Sequence, residues 1–175
     1  MFTRAAYFYL FLSFLSACGQ NPKGALQTVQ NPNRTGDSKV VLGTEEADFL
    51  VRINALRAQY DLPALQVDPF LQIAARRHSQ YMNQNDLLSH REPAPNESSS
   101  KRIQSAGGNF DVTGENIACG NESGAKTFEQ WFNSIGHLRN MLSVNYRFIG
   151  IAREGSEADR ALRSCPYFWT TVFGG

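Results

Sequence analysis

The chain has 175 residues, of which 42% are hydrophobic and 19% charged, with a formal net charge of +1. That length and apolar content suit one globular domain burying its own core, accompanied by some unstructured chain. A charge so close to zero excludes electrostatic recognition of nucleic acid.

Residues 1–17 read as an export signal. Met1-Phe2-Thr3-Arg4 carries one positive charge, and Ala5 to Leu15 is an apolar run too short for a mature membrane span. Leu15-Ser16-Ala17-Cys18 follows, an order that looks like the lipobox of bacterial lipoproteins, in which the cysteine is acylated and becomes the mature N-terminus. The alternative is an ordinary secretory signal with an incidental cysteine. Gly19, rather than an aspartate, resembles cargo sent to the outer membrane of a Gram-negative cell. The chain has three cysteines, an awkward number for an exported protein. With Cys18 lipidated, Cys119 and Cys165 remain to pair in an oxidising compartment. The competing reading is a reactive thiol at Cys119, which needs exposure and a lowered pKa.

Residues 18–43 are rich in Asn, Gln, Pro, Gly and Thr, without a sustained apolar period. They read as a flexible tether with a reach of about 25–30 Å. The domain, residues 44–175, opens at Thr44-Glu45-Glu46, with a capping hydroxyl and acids in the first turn. Phe49, Leu50, Ile53, Leu56 and Tyr60 recur at helical spacing until Asp61-Leu62-Pro63 ends the helix. Asp68-Pro69 starts a second helix whose apolar face is Phe70, Ile73, Ala74, His78, Tyr81 and Met82, running to about Asp86. His78 points where Ala74 and Met82 point and reads as a packed, hydrogen-bonded core histidine rather than a ligand. His90 instead sits on the loop leaving that helix, placed to face a cleft.

A polar loop, Glu92 to Ser100, leads to a short helix at Lys101 to Ala106, ended by Gly107-Gly108. Phe110 to Val112 reads as a short strand. Gly114-Glu115-Asn116-Ile117-Ala118 then carries a carboxylate into an apolar neighbourhood, where it needs partners; two converging imidazoles, His90 and His137, would supply them. Ser123-Gly124 opens a further helix with Phe128, Trp131, Phe132 and Ile135 as its buried stripe. Gly136 breaks it, and Leu138 to Leu142 is helical again. Tyr146 to Arg153 and Tyr167 to Phe173 read as strands separated by a polar turn, giving an α+β domain with its strands antiparallel between helical layers.

In this order the motifs resemble the CAP superfamily (cysteine-rich secretory proteins, antigen 5 and pathogenesis-related-one proteins), specifically its short bacterial SCP-like branch. The carriers include Asn54 to Arg57, Ala74 to Ser79 with Met82, Ser89-His90, Arg102 to Gly107, Gly114 to Ala118, Trp131 to His137 with Asn140 to Leu142, Phe148 to Gly150, and Trp169 to Gly174. The resemblance implies a three-layer α-β-α sandwich with a central antiparallel sheet. It also implies a cleft in which two histidines and two glutamates can hold a divalent metal. His90 matches the first histidine, Glu115 the first glutamate and His137 the second histidine. Ser134 stands at the position of the second glutamate, removing one charge, and Glu129 is a poor substitute.

Two imidazoles and a carboxylate are competent ligands for an ion such as Zn2+, with an open position for water. The sequence contains no local metal motif, so that expectation comes from the resemblance alone. A hydrogen-bonded cleft in which Glu115 holds both imidazoles is the competing reading. Two functions are expected from this site. The first is a membrane-tethered binding module for a lipid, a sterol-like molecule or a cell-envelope partner. The alternative is a metal-assisted hydrolase using His90, Glu115 and His137 as catalytic residues, and it lacks an activated nucleophile.

Overall fold

In the computed structural model, residues 40–163 and 165–175 are described, together with the two-residue strand Thr28–Val29. The signal segment, Cys18 and most of the expected tether lie outside the described residues. Thr28–Val29 (β1) pairs antiparallel with Val40–Val41 (β2), so a stretch expected to be featureless carries a short ribbon, in keeping with its β-branched residues. Leu42 is buried in the main core and Val40 packs against it. The packed domain therefore begins ahead of Thr44.

The first helix, α1 (Thr44–Gln59), buries Phe49, Leu50, Ile53 and Leu56 of the expected stripe, whereas Tyr60 falls at the C-cap and is 56% exposed. Its cap differs from expectation: Gly43 is the N-cap, and no side chain fills that role. The acids Glu45 and Glu46 offset the helix's positive end instead. Arg57 is fully buried and donates to the carbonyls of Pro63, Met141, Ser143 and Tyr146 at 2.9, 2.9, 3.0 and 3.2 Å. It thereby ties α1 to the chain entering the sheet.

A two-residue strand, β3 (Gln66–Val67), precedes α2 (Pro69–Asn85). Asp68 caps α2 by accepting the Phe70 and Leu71 amides at 2.9 and 3.1 Å, and Asp86 ends it in the left-handed region at φ 46°. Ser98 caps α3 (Ser99–Ser105), and β4 spans Thr113–Cys119. Phe110 to Val112 is not a strand of its own: Val112 exchanges backbone hydrogen bonds with Gly175 at 3.3 and 3.1 Å, extending the β4 pairing by one residue, and the Asp111 amide donates to the same Gly175 carbonyl. Next come α4 (Gly124–Phe132), α5 (Ile135–Met141), β5 (Phe148–Gly155), a 3-10 turn (Glu157–Ala161) and β6 (Tyr167–Gly174). The helix break falls at Asn133–Ser134, with Gly136 inside α5. Restarting the helix there turns Ile135 outward, and it is 71% exposed rather than part of the buried stripe.

The main sheet has the order β3-β5-β6-β4. β5, β6 and β4 are antiparallel, as expected, whereas β3 joins β5 in parallel. β6 is buried along its whole length, as befits a strand covered on both faces. Phe49, Ile53, Trp131, Met141, Ile149, Trp169 and Phe173 fill the core between the sheet and the α1/α4/α5 layer. Leu71, Ala74, Ala75, Ile103, Ala152 and Val172 fill the other, beneath α2 and α3. This is the three-layer α-β-α sandwich. Its second interface is very close: a Cβ at Gly150 would lie 2.1 Å from the Leu71 backbone.

Side chains cover the outer edge of β4 and the part of β5 that runs past its two-residue pairing with β3. The carbonyls of Thr113, Glu115 and Ile117 on β4 accept from the Tyr146 hydroxyl, the Asn140 amide and the Trp131 indole at 3.2, 3.1 and 3.3 Å. On β5, the Gln72 amide both donates to Ile151 O and accepts from Ile151 N at 2.5 and 2.8 Å, and Glu46 accepts the Arg153 amide at 3.2 Å. Cys119 and Cys165 form a disulfide with Cα atoms 5.5 Å apart, joining the end of β4 to the approach to β6. Among the described residues no helix is long and apolar enough to cross a membrane.

Candidate functional site

Strand alternation decides what the site contains. Glu115 and Asn116 are neighbours on β4, so their side chains leave on opposite faces. Glu115 faces the α2/α3 layer and Asn116 the α5 layer. The Glu115 side chain is only 5% exposed, and both of its oxygens are engaged. Oε1 meets His90 Nδ1 at 2.8 Å, and Oε2 accepts from Arg102 Nη2 at 2.5 Å. Burial pushes this carboxyl up, but the His90 hydrogen bond and the Arg102 charge outweigh it and hold the group below the usual carboxylate range. An ionised carboxylate only accepts, so His90 Nδ1 donates, and Nε2 lies on the far side of a ring that is 57% exposed.

Beneath this pair lies a second one. His78 Nδ1 is 2.6 Å from Glu92 Oε1, with the His78 side chain fully buried and Glu92 only 9% exposed. Desolvation holds the His78 ring below its ordinary value, despite the pull of the nearby carboxylates. The neutral ring donates through Nδ1, so its Nε2 lone pair faces Glu115 Oε1 at 3.8 Å and finds no hydrogen bond. His78 is thus a packed, hydrogen-bonded histidine, and it also forms the floor of the site.

Arg102 joins the two pairs. Its side chain is 2% exposed, and besides Glu115 it donates through Nη1 to the carbonyls of His90 and Asn96 at 3.2 and 3.1 Å. Its Nε lies 3.5 Å from Glu92 Oε1, near enough for charge attraction but without hydrogen-bond geometry.

His137 reaches the site from the other layer. Asn116 donates to its backbone carbonyl at 3.1 Å, and Asn140 links Asn116 Oδ1 at 2.8 Å to the Glu115 carbonyl. The His137 ring lies 5.8 Å from that of Trp131, and its buried Nδ1 has no hydrogen-bond partner. Burial, then the nearby His90 charge, lower its pKa. His90 and Glu115 are therefore brought together as expected, and His137 stands close enough to His90 for their charges to interact, without a hydrogen bond to Glu115.

Arg102 and Glu92 were not singled out from sequence. A buried carboxylate calls for a cation, but Arg91, Arg102 and Arg139 all flank the motif and spacing does not choose among them. Ser134 caps α5 without a side-chain hydrogen bond, and the second carboxylate of this cluster is Glu92.

As inner ligands, the expected three do not fit a metal together: Glu115 is saturated by His90 and Arg102. Among the described residues no group of three or more His, Cys, Asp or Glu side chains is arranged to hold an ion. The donors left for an ion are the His90 nitrogen turned away from Glu115 and His137, whose Nδ1 has no partner, with Glu115 as the support behind His90.

The cysteine-rich secretory protein (CAP) family model matches residues 50–173. The chain belongs to the CAP family. It is 31% identical over 137 residues to the uncharacterized protein YkwD of Bacillus subtilis, covering 78% of this chain and 53% of YkwD. It is 30% identical to the uncharacterized membrane protein YlbC of the same organism, over 65% of this chain and 32% of YlbC. The chain thus spans about half or less of these CAP relatives. An extracellular protein containing an SCP domain from Bacillus anthracis superposes with a TM-score of 0.63 at 26% identity, over 74% of this chain and 40% of that one. An outer surface protein from Borrelia burgdorferi gives 0.65 at 21% identity, over 76% and 95%.

Proposed function

We propose that this CAP domain is an extracytoplasmic binding module, held at a membrane through lipid on Cys18, whose cleft presents His90 and His137 to a divalent metal, a lipid or a cell-envelope ligand. One observation carries the reading: a buried, saturated carboxylate fixes His90 so that its free nitrogen faces outward. That is how outer-shell carboxylates orient a histidine for a ligand. Export is supported by the relatives found outside the cell or on its surface, and by the Leu15 to Cys18 signal. The outer membrane follows from Gly19 if the host is Gram-negative.

A bound Zn2+ would supply Lewis acidity at an open position. The residues here bind and orient: Glu115 and Arg102 set the His90 ring, and Trp131 packs beside His137. A metal-assisted hydrolase is the less supported reading, because among the described residues no hydroxyl is hydrogen-bonded to an imidazole and no nucleophile is activated.

Zinc titration by calorimetry tests the cleft. One equivalent is expected for the parent, lost in both His90→Ala and His137→Ala; a parent that binds none sinks the metal reading and directs the search to lipids. Cell fractionation tests the anchor, since Cys18→Ala should move the protein out of the membrane fraction.

A further inference from the structure

We propose that Arg102 is the positioning residue of the cleft: one buried guanidinium fixes His90 at both ends, the ring through Glu115 and the backbone through its carbonyl. It thereby sets which ring nitrogen faces outward. This deepens the reading of His90 as the presented group. Three features of the geometry support it. First, Arg102 is the partner of Glu115 Oε2, and Oε1 stays aimed at His90 Nδ1 only while the other oxygen is held. Second, Nη1 donates to the carbonyls of His90 and Asn96, so the same planar group pins the loop carrying the imidazole at two places. Third, these tethers leave through different nitrogens of a rigid fork, a task a lysine ammonium on a flexible stem cannot copy.

Arg102 itself sits on a helix of one face: Ser98 caps α3, and Ile103 beside Arg102 packs into the α2-side core. Packing thus supplies the position of the helix, and the guanidinium supplies the link from that helix to the loop and to β4. Removing the fork frees Glu115 to turn and frees the loop backbone. His90 then loses the acceptor that fixes its Nδ1–H tautomer.

The test is nitrogen-15 NMR of the imidazoles in the full chain without ligand, at a pH where His90 is neutral. The parent should show His90 protonated at Nδ1, and Arg102 should show separate, slowly exchanging Nη signals because its two ends are tied to different partners. In Arg102→Met the Nδ1–H to Nε2–H ratio should fall about tenfold or more, the scale of losing one hydrogen bond to a charged group. Arg102→Lys should fall with it. An unchanged ratio in a folded Arg102→Met overturns the proposal. A lysine variant matching the parent overturns the role of the fork in favour of charge alone. Should the methionine variant not fold, the parent's Arg102 signals decide, since averaged Nη resonances contradict a clamped guanidinium. The readout needs no metal or lipid, so it stands or falls separately from the zinc titration.

Discussion

Glu115 and the two low-pKa histidines make the molecule sensitive to acid from the residue level up. The neutral His78 and His137 rings are favoured in the fold, their pKa values lying below the ordinary 6.5 chiefly through burial. The stability they contribute is complete above pH 6.5 and is lost as pH falls below it toward the folded values. Glu115 is depressed from 4.5, so its contribution is present above that pH and disappears as pH drops through the lower folded value. Denaturant melts across pH should therefore weaken in two stages. Glu115→Gln should abolish the lower stage and keep the upper one. At neutral pH that variant should also lose up to about 3–5 kcal/mol, since buried Arg102 loses its hydrogen-bonded carboxylate and keeps only the Glu92 charge at 3.5 Å. That Glu115 needed partners, and that His90 would be one, was legible from its apolar setting and the order of the motifs. Arg102 and the Glu92 behind it were not, because their approach depends on how α3 and a loop fold back across the sheet, and no local spacing encodes that.

Among the elements, α1 was read well and α2 in part: Ala74, His78 and Met82 are buried as expected, but Ile73 is 39% exposed and Leu71 and Ala75 fill the core instead. Stripes such as Phe49, Ile53 and Leu56 face a core on one side only, so their spacing reports the packing directly. Failures came at junctions. Ile135 continued the α4 stripe on paper, but the restart at Ser134 reset the helical phase and turned it outward. A two-residue strand such as β3 has no period to detect. Two substitutions test how tightly these layers are joined. Trp131 is fully buried, in edge-to-face contact with Phe49 at 5.2 Å, and Trp131→Ala should cost about 3–5 kcal/mol in a denaturant melt. Gly150→Ala should cost about 1–3 kcal/mol or more, because the new methyl meets the α2 backbone rather than a movable side chain. A neutral result would mean that α2 can lift off β5.

At the scale of the whole molecule, the sandwich was visible through motifs in register across most of the chain. The disulfide was visible from cysteine parity in an exported chain. It closes a loop of 46 residues in sequence separation, for which the chain-entropy account gives about 4 kcal/mol. Thermal melts with and without reductant should separate accordingly, and coincident curves would show that the bond adds nothing. The side-chain caps along β4 and β5 have a consequence of another kind. A strand whose outward carbonyls already hold hydrogen bonds from Tyr146, Asn140 and Trp131 makes a poor template for a second chain, as does one gripped by Gln72 and Glu46. Many copies crowded together would meet without zipping into ribbons or seeding fibrils, and each would stay a separate folded domain.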